Sequence, residues 1–204
     1  MVGTRKFNEE EILSIVINVF RDKGYTATTM LDLAKETGVQ RGSLYNAYKN
    51  KNTLFLKAFD YYTQQFLEII EKDLAHPDAK IAFTQLFANS VNRLMADEQK
   101  RGCFSTRTIM EAIRQCPDIQ QCLSVFLDGL QEKIHERLIK ACDDGEFLGE
   151  PLPYACYLVA LTRGVAVIEQ AYNDKKHMAD IYSIAIAQMP FSSNDENTRI
   201  DSLK

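Results

Sequence analysis

Glycine and proline are scarce in this chain, 9 and 5 among 204 residues, and strand-like alternation is rarer still. That shortage favours an all-α fold. The five cysteines, Cys103, Cys116, Cys122, Cys142 and Cys156, are odd in number and contain no C-x-x-C pair, which argues against a disulfide framework and a zinc knuckle. The start, MVGTRKFNEEE, has cations but no apolar run behind them, so it does not read as a secretion signal. G-x-S-x-G, G-x-G-x-x-G and P-loop patterns are missing, and HERLI at His135 lacks the second histidine of a zinc-protease helix. His76, His135 and His177 are far apart in sequence. No catalytic residue, metal ligand or cofactor is therefore assigned.

What is present is helical. Ile12, Ile15, Val16, Val19 and Phe20 make an i, i+3, i+4, i+7, i+8 stripe over residues 9–23, with Glu9, Glu10 and Glu11 in the first turn and Gly24 at the end. A second helix is expected from the Thr28–Thr29 pair, with Thr28 as its cap and Gly38 as its stop. A third covers about 40–47, and KNKNTLFLKAF opens a long fourth. Further helices are expected from near Asp78, over 105–114 and 118–142, and then over 154–172 and 178–189. The run YACYLVALTRGVAVIEQAY carries Arg163 near its middle and reads as a buried helix, not a membrane span. The polar tail PFSSNDENTRIDSLK reads as disordered.

Charge is uneven. Residues 1–60 hold nine Lys/Arg against seven Asp/Glu, a balance of +2, and the remainder carries −6. A slightly basic head on an acidic body points to a polyanionic partner for the head alone. The segment TGVQRGSLYNAYKNK, which contains no acid, localises that partner. Ala34 is small where two helices would cross, and Gly38, four residues on, can take the left-handed turn. Val39 would plug that turn, and Leu44, Ala47 and Tyr48 would face inward. The outer face is then Gly42, Tyr45, Asn46 and Lys49, with Gln40, Arg41 and Ser43 at the N-terminal end. Arg41 suits guanine, Gln40 and Asn46 suit adenine, and Tyr45 suits a thymine methyl or a phosphate. Lys51 stands within reach of a phosphate. A merely solvated helix would show the same periodicity.

The stretch FRDKGYTATTMLDLAKETGVQRGSLYNAYKNKNTLFLKAF resembles the TetR family of transcriptional regulators. The resemblance lies in Gly24–Tyr25, Thr28–Thr29, Ala34, Gly38–Val39, Ser43–Leu44–Tyr45, the aromatic Tyr48, and Lys51 followed by Leu54. It covers about the first sixty residues; beyond them only the helical layout and DGEFLGEPLPYACYLVALTRG are similar. Asn46 departs from a frequent family histidine and Tyr48 from the usual phenylalanine, which adds a hydroxyl that could reach a phosphate. The resemblance implies a cytoplasmic homodimer on a near-palindromic duplex operator, with a small-molecule effector and no membrane. It divides the chain into a helix-turn-helix head (1–52), an effector-binding and dimerisation body (53–190) and a tail (191–204). The DNA-contacting candidates are Thr28, Thr29, Gln40, Arg41, Gly42, Ser43, Tyr45, Asn46, Tyr48, Lys49 and Lys51. A repressor is the expected type, with a helical enzyme or interaction module carrying a vestigial helix-turn-helix as the reading from another class.

In the body, Phe83, Phe87, Phe104, Met110, Phe126 and Tyr157 could line an apolar pocket, with Arg107 as a polar handle, or could simply pack. Leu123, Phe126, Leu127, Leu130, Ile134 and Leu138 make a long amphipathic stripe, and pairing of two copies is expected through 118–142 and 154–172, with Ala160 and Gly164 allowing close approach. The element RGCFSTRTIMEA is similar to a Gly-Cys-Phe/Leu element in one branch of the family. Two readings stand at Cys103: a redox or electrophile sensor activated by Lys100, Arg101 and a helix N-terminus, or a small packed residue.

Overall fold

The computed structural model describes residues 8–97, 102–112 and 116–192. They form nine α-helices: α1 (Glu9–Ala27), α2 (Met30–Thr37), α3 (Arg41–Tyr48), α4 (Lys51–Asp73), α5 (Ala79–Met95), α6 (Phe104–Ala112), α7 (Pro117–Asp143), α8 (Pro151–Tyr172) and α9 (Lys175–Gln188). The starts follow from local chemistry. Asn50, Asp78 and Asp174 accept backbone N–H bonds from the first turns of α4, α5 and α9, and proline opens α7 and α8, where its missing N–H costs nothing.

The cap of α2 is Thr29, not Thr28. Its hydroxyl accepts from the Asp32 N–H, and the Asp32 carboxylate accepts from the Thr29 N–H at 2.9 Å. Thr28 is turned inward instead and donates to the Gly24 carbonyl at 2.6 Å. Gly24 breaks the helical path inside α1 with φ 79°. A Cβ there would also collide with the Glu111 carboxylate of α6, so only glycine serves both the turn and the close approach.

Helices α1 and α3 pack on α4, α2 packs on α1 and α3, and their apolar faces join one cluster that continues into α6 and α7 through Phe104, Ala112, Ile119, Leu123 and Phe126. A second cluster fills the space among α5, α7, α8 and α9. Buried Arg137 of α7 pins the α4–α5 turn by donating to the carbonyls of Leu74, His76 and Pro77.

Two expectations change. The stripe Leu123, Phe126, Leu130, Ile134 and Leu138 on α7 is buried within this one chain, because α4 and α8 flank it. It is not left over for a second copy. Helix α8 is long and apolar enough by length and composition to cross a membrane, yet one face of it is packed within the chain, where Leu158, Thr162, Val165 and Ala166 are buried. Its other face is open, so it is only half the buried helix expected. That face carries Tyr157, Ala160, Gly164, Val167, Ile168 and Tyr172, at helical spacing. Of the tail, Phe191 and Ser192 are held, the first against Phe147 and Phe83 and the second through its N–H to the Glu146 carbonyl. Residues 193–204, on which the expected disorder falls, lie outside the described residues.

Candidate functional site

The turn between α2 and α3 is built as its residues dictate. Gly38 takes the left-handed conformation at φ 66°, Val39 is buried beneath it, and Ala34 and Leu44 lie in the same core. This leaves Gln40, Arg41, Gly42, Ser43, Tyr45, Asn46 and Lys49 exposed on one side of α3. A Cβ on Gly42 would meet nothing within 4 Å, so the backbone is open to close approach. The Arg41 guanidinium sits over the Tyr45 ring, 5.4 Å from its centroid, which holds the cation on the outer face. No acid lies in the first turn of α3, and Gln40 makes no side-chain cap, so the positive end of the helix is also uncovered.

Four residues sit differently from expectation. Ala47 is exposed, while Leu44 and Tyr48 alone anchor α3. Tyr48 is buried and spends its hydroxyl on Glu9 Oε1 at 3.3 Å, so it is not free for a phosphate. Burial and then the Glu9 charge raise its pKa. Thr28 is likewise internal. Lys51 donates to the carbonyls of Tyr25 (2.8 Å) and Thr26 (3.4 Å) and lies 4.5 Å from the Tyr25 ring centroid. It clamps α4 to the end of α1, and its partial burial lowers its pKa. Thr29 remains exposed as the cap of α2.

A cavity of about 230 Å³ opens where α1, α4, α5, α6, α8 and α9 meet. Its walls include Arg21, Tyr62, Phe66, Arg93, Cys103, Phe104, Arg163 and Tyr182. Arg21 belongs to the head, yet it donates to Asp97 (3.2 Å) and to the Gly102 carbonyl (3.1 Å) at the cavity wall. Arg93 pairs with Asp73 at 2.6 Å. Arg163 has no carboxylate within ion-pair distance among the described residues. It donates to Ser105 Oγ at 2.8 Å and to Cys103 Sγ at 3.5 Å, and its guanidinium lies 5.6 Å from the Phe126 ring centroid.

Of the residues expected to line a pocket, Phe104 does so here. Phe87 faces a different groove between α5 and α9 and stacks on Tyr182 at 4.4 Å. Phe83 and Phe126 are fully buried core residues. Met110 and Tyr157 are exposed, Tyr157 on the open face of α8. Arg107 ties α6 to α1 by pairing with Glu111 at 2.6 Å and donating to the Arg21 carbonyl. The expected cations Lys100 and Arg101 lie outside the described residues. The charge beside Cys103 comes from Arg163, sixty residues away in sequence. Burial alone would raise the Cys103 thiol, but Arg163, the Ser105 hydroxyl and Thr106 outweigh it and bring it down to about 7.

Residues 12–58 match the family model described as bacterial regulatory proteins, tetR family. Over 151 residues the chain is 29% identical to YezE, an uncharacterised HTH-type transcriptional regulator of Bacillus subtilis, covering 74% of this chain and 78% of that protein. Over 100 residues it is 29% identical to the HTH-type transcriptional repressor ComR of Escherichia coli, covering 48% of each chain. Among solved structures, a cysteine-substituted form of the TetR-family regulator CifR, complexed with 26-bp double-strand operator DNA, superposes with a TM-score of 0.81. It is 22% identical and covers 92% of this chain and 100% of that one.

The surroundings of Cys103 set its reactivity. Alkylation by iodoacetamide, followed by mass spectrometry of the Cys103 peptide, should rise with pH with a midpoint near 7. In Arg163→Met the midpoint should move upward, toward that of an ordinary thiol. An unchanged midpoint in the variant would show that Arg163 does not set this pKa.

Proposed function

The chain belongs to the TetR family of DNA-binding transcriptional regulators, and from that premise we propose that it is a cytoplasmic repressor released from its operator by a small molecule bound in the body. The observation that carries the DNA-binding role is the acid-free outer face of α3, presented by the Gly38 turn with its backbone open at Gly42. An α-helix fits the major groove, and Arg41, Gln40 and Asn46 are the side chains whose donors match base edges there. Thr29, Ser43 and Lys49 are assigned to backbone phosphates, and Tyr45 to a phosphate or a thymine methyl. We divide the chain into a head at 1–52 and a body at 53–190, with α4 serving both. Family membership favours a regulator over a helical enzyme or interaction module.

Two copies would place two heads on a near-palindromic site. Because α7 spends its stripe within the chain, the pairing surface is assigned to the open face of α8 together with exposed Ile184 of α9. Effector control is assigned to Arg21, which belongs to α1 yet bonds to Asp97 and to the Gly102 carbonyl at the cavity wall. A ligand that favours one placement of those groups would shift the heads, provided it binds the two states unequally. A second reading keeps this linkage but replaces the bound molecule with chemistry at Cys103. It is favoured by a thiol already half ionised near pH 7 at the cavity wall.

Titration of the protein against the duplex upstream of its own gene tests the docking. Arg41→Ala should weaken binding by about 1–3 kcal/mol and relax base preference. Tyr48→Phe should bind like the parent, since its hydroxyl faces Glu9. If Arg41→Ala binds as well as the parent, α3 does not enter the groove in this way.

Sedimentation tests the pairing. The parent should run as a dimer at micromolar concentration. Gly164→Glu, which puts a charge where a Cβ meets nothing in its own chain, should run as a folded monomer and lose DNA binding. A dimeric Gly164→Glu would place the interface elsewhere.

A further inference from the structure

The cavity described above has an imbalance that its own side chains do not correct. Three arginines contribute to its walls and no carboxylate does. Asp97 answers Arg21 and Asp73 answers Arg93, whereas Arg163 has no carboxylate within ion-pair distance among the described residues and, of acidic groups, meets only the Cys103 thiol, at 3.5 Å. Arg163 Nε is buried with no acceptor. The Tyr182 hydroxyl is also buried without a partner, on a side chain only 3% exposed. Burial raises the pKa of that phenol, and the fields of Arg163 and Arg93 act on it in the opposite direction, with Cys103 adding to the rise. The hydroxyl is thus a neutral donor beside a cation that has no carboxylate partner among the described residues. Unmade donors of this kind in a low-dielectric wall are costly, and an anion that accepts from both removes the cost.

The remaining wall is apolar. Phe66, Phe104, Ile69 and Leu94 line it, and Phe104 is held in place by Phe55, Phe59 and Tyr62 at centroid distances of 6.0, 5.5 and 5.2 Å. The volume of about 230 Å³ equals roughly eight waters at ~30 Å³ each, room for one ring or a medium-length chain but not for a large cofactor.

We infer that the cavity takes a small amphipathic organic monoanion, its carboxylate on Arg163 and Tyr182 and its apolar body against Phe66, Phe104, Ile69 and Leu94. This rests on the reading of the protein as an effector-controlled regulator and names the chemical class of the effector. The Cys103 thiol, 3.5 Å from Arg163, lies at the carboxylate end, so a bound acid shields it.

Calorimetry on the full chain tests this with 3-phenylpropanoate and hexanoate against their primary amides, which keep shape and lose charge. The acids should bind at least about tenfold more tightly than the amides. Tyr182→Phe should weaken acid binding several-fold, and Arg163→Met should abolish it. Bound acid should slow alkylation of Cys103 in the parent. The acid–amide comparison uses only the parent, so it decides the matter even if a variant fails to fold. Amides binding as tightly as acids, or neither acid binding, overturns the assignment. A parallel gel shift on the upstream duplex separates the two claims. Acid binding that leaves the shift unchanged upholds the ligand and removes the release mechanism. A normal shift without acid binding leaves the regulator standing and removes the ligand.

Discussion

A continuous run of aromatic rings joins the DNA-binding end of this protein to its cavity. Phe20 and Tyr25 of the head meet Phe55 of α4 at 4.9 and 5.0 Å; Phe55 and Phe59 meet Phe104, and Phe104 meets Tyr62 on the cavity wall. Each such pair contributes about 0.5–1.5 kcal/mol beyond its buried area, and the rings are packed at interior density. The head therefore has no separate core that could stay still while the body rearranges. A packed junction of this kind moves between discrete arrangements and does not deform smoothly, which suits the proposed release of DNA by an event at the cavity.

Charge gives the junction its direction. Arg21 reaches from α1 to Asp97 and Gly102, and Arg107 reaches from α6 back to the Arg21 carbonyl. The two arginines clasp the head to the segment that carries Cys103 and Phe104. Gly24 lets Glu111 approach α1 closely enough for this clasp to form. A new anion on Arg163, or a modified Cys103, changes the field and the packing one residue from Gly102. A differential of about 1–3 kcal/mol between the two arrangements is the usual scale of coupling, and one charge-assisted hydrogen bond is of that size.

The head was legible because its logic is local. Ala34, Gly38, Val39 and Leu44 lie within eleven residues, and their spacing alone defines the turn. The errors there came from distant partners. The spacing put Tyr48 inward, but nothing in it shows that Glu9, thirty-nine residues earlier, takes the hydroxyl. Thr28 and Thr29 are adjacent candidates for one cap, and only the Gly24 turn decides between them. The body was legible as helices and not as a site. Its cavity gathers side chains from six helices, and no sequence period links Arg21 to Tyr182. The one available signal was Arg163 in the most apolar run of the chain, read there as an interruption and not as a cation with a purpose. The stripe on α7 was visible, but an amphipathic stripe does not say whether its cover is its own chain or a second copy.

In the proposed mechanism the head senses the cavity through Arg21. That linkage is tested most directly by comparing DNA affinity before and after carbamidomethylation of Cys103, in the parent and in Arg21→Met, with Cys103→Ser as the control for the other cysteines. The modified parent should lose about tenfold or more in affinity for the upstream duplex. Modified Arg21→Met should keep its own unmodified affinity, as should treated Cys103→Ser. Equal loss in the parent and Arg21→Met, or no loss in the parent, would contradict that linkage.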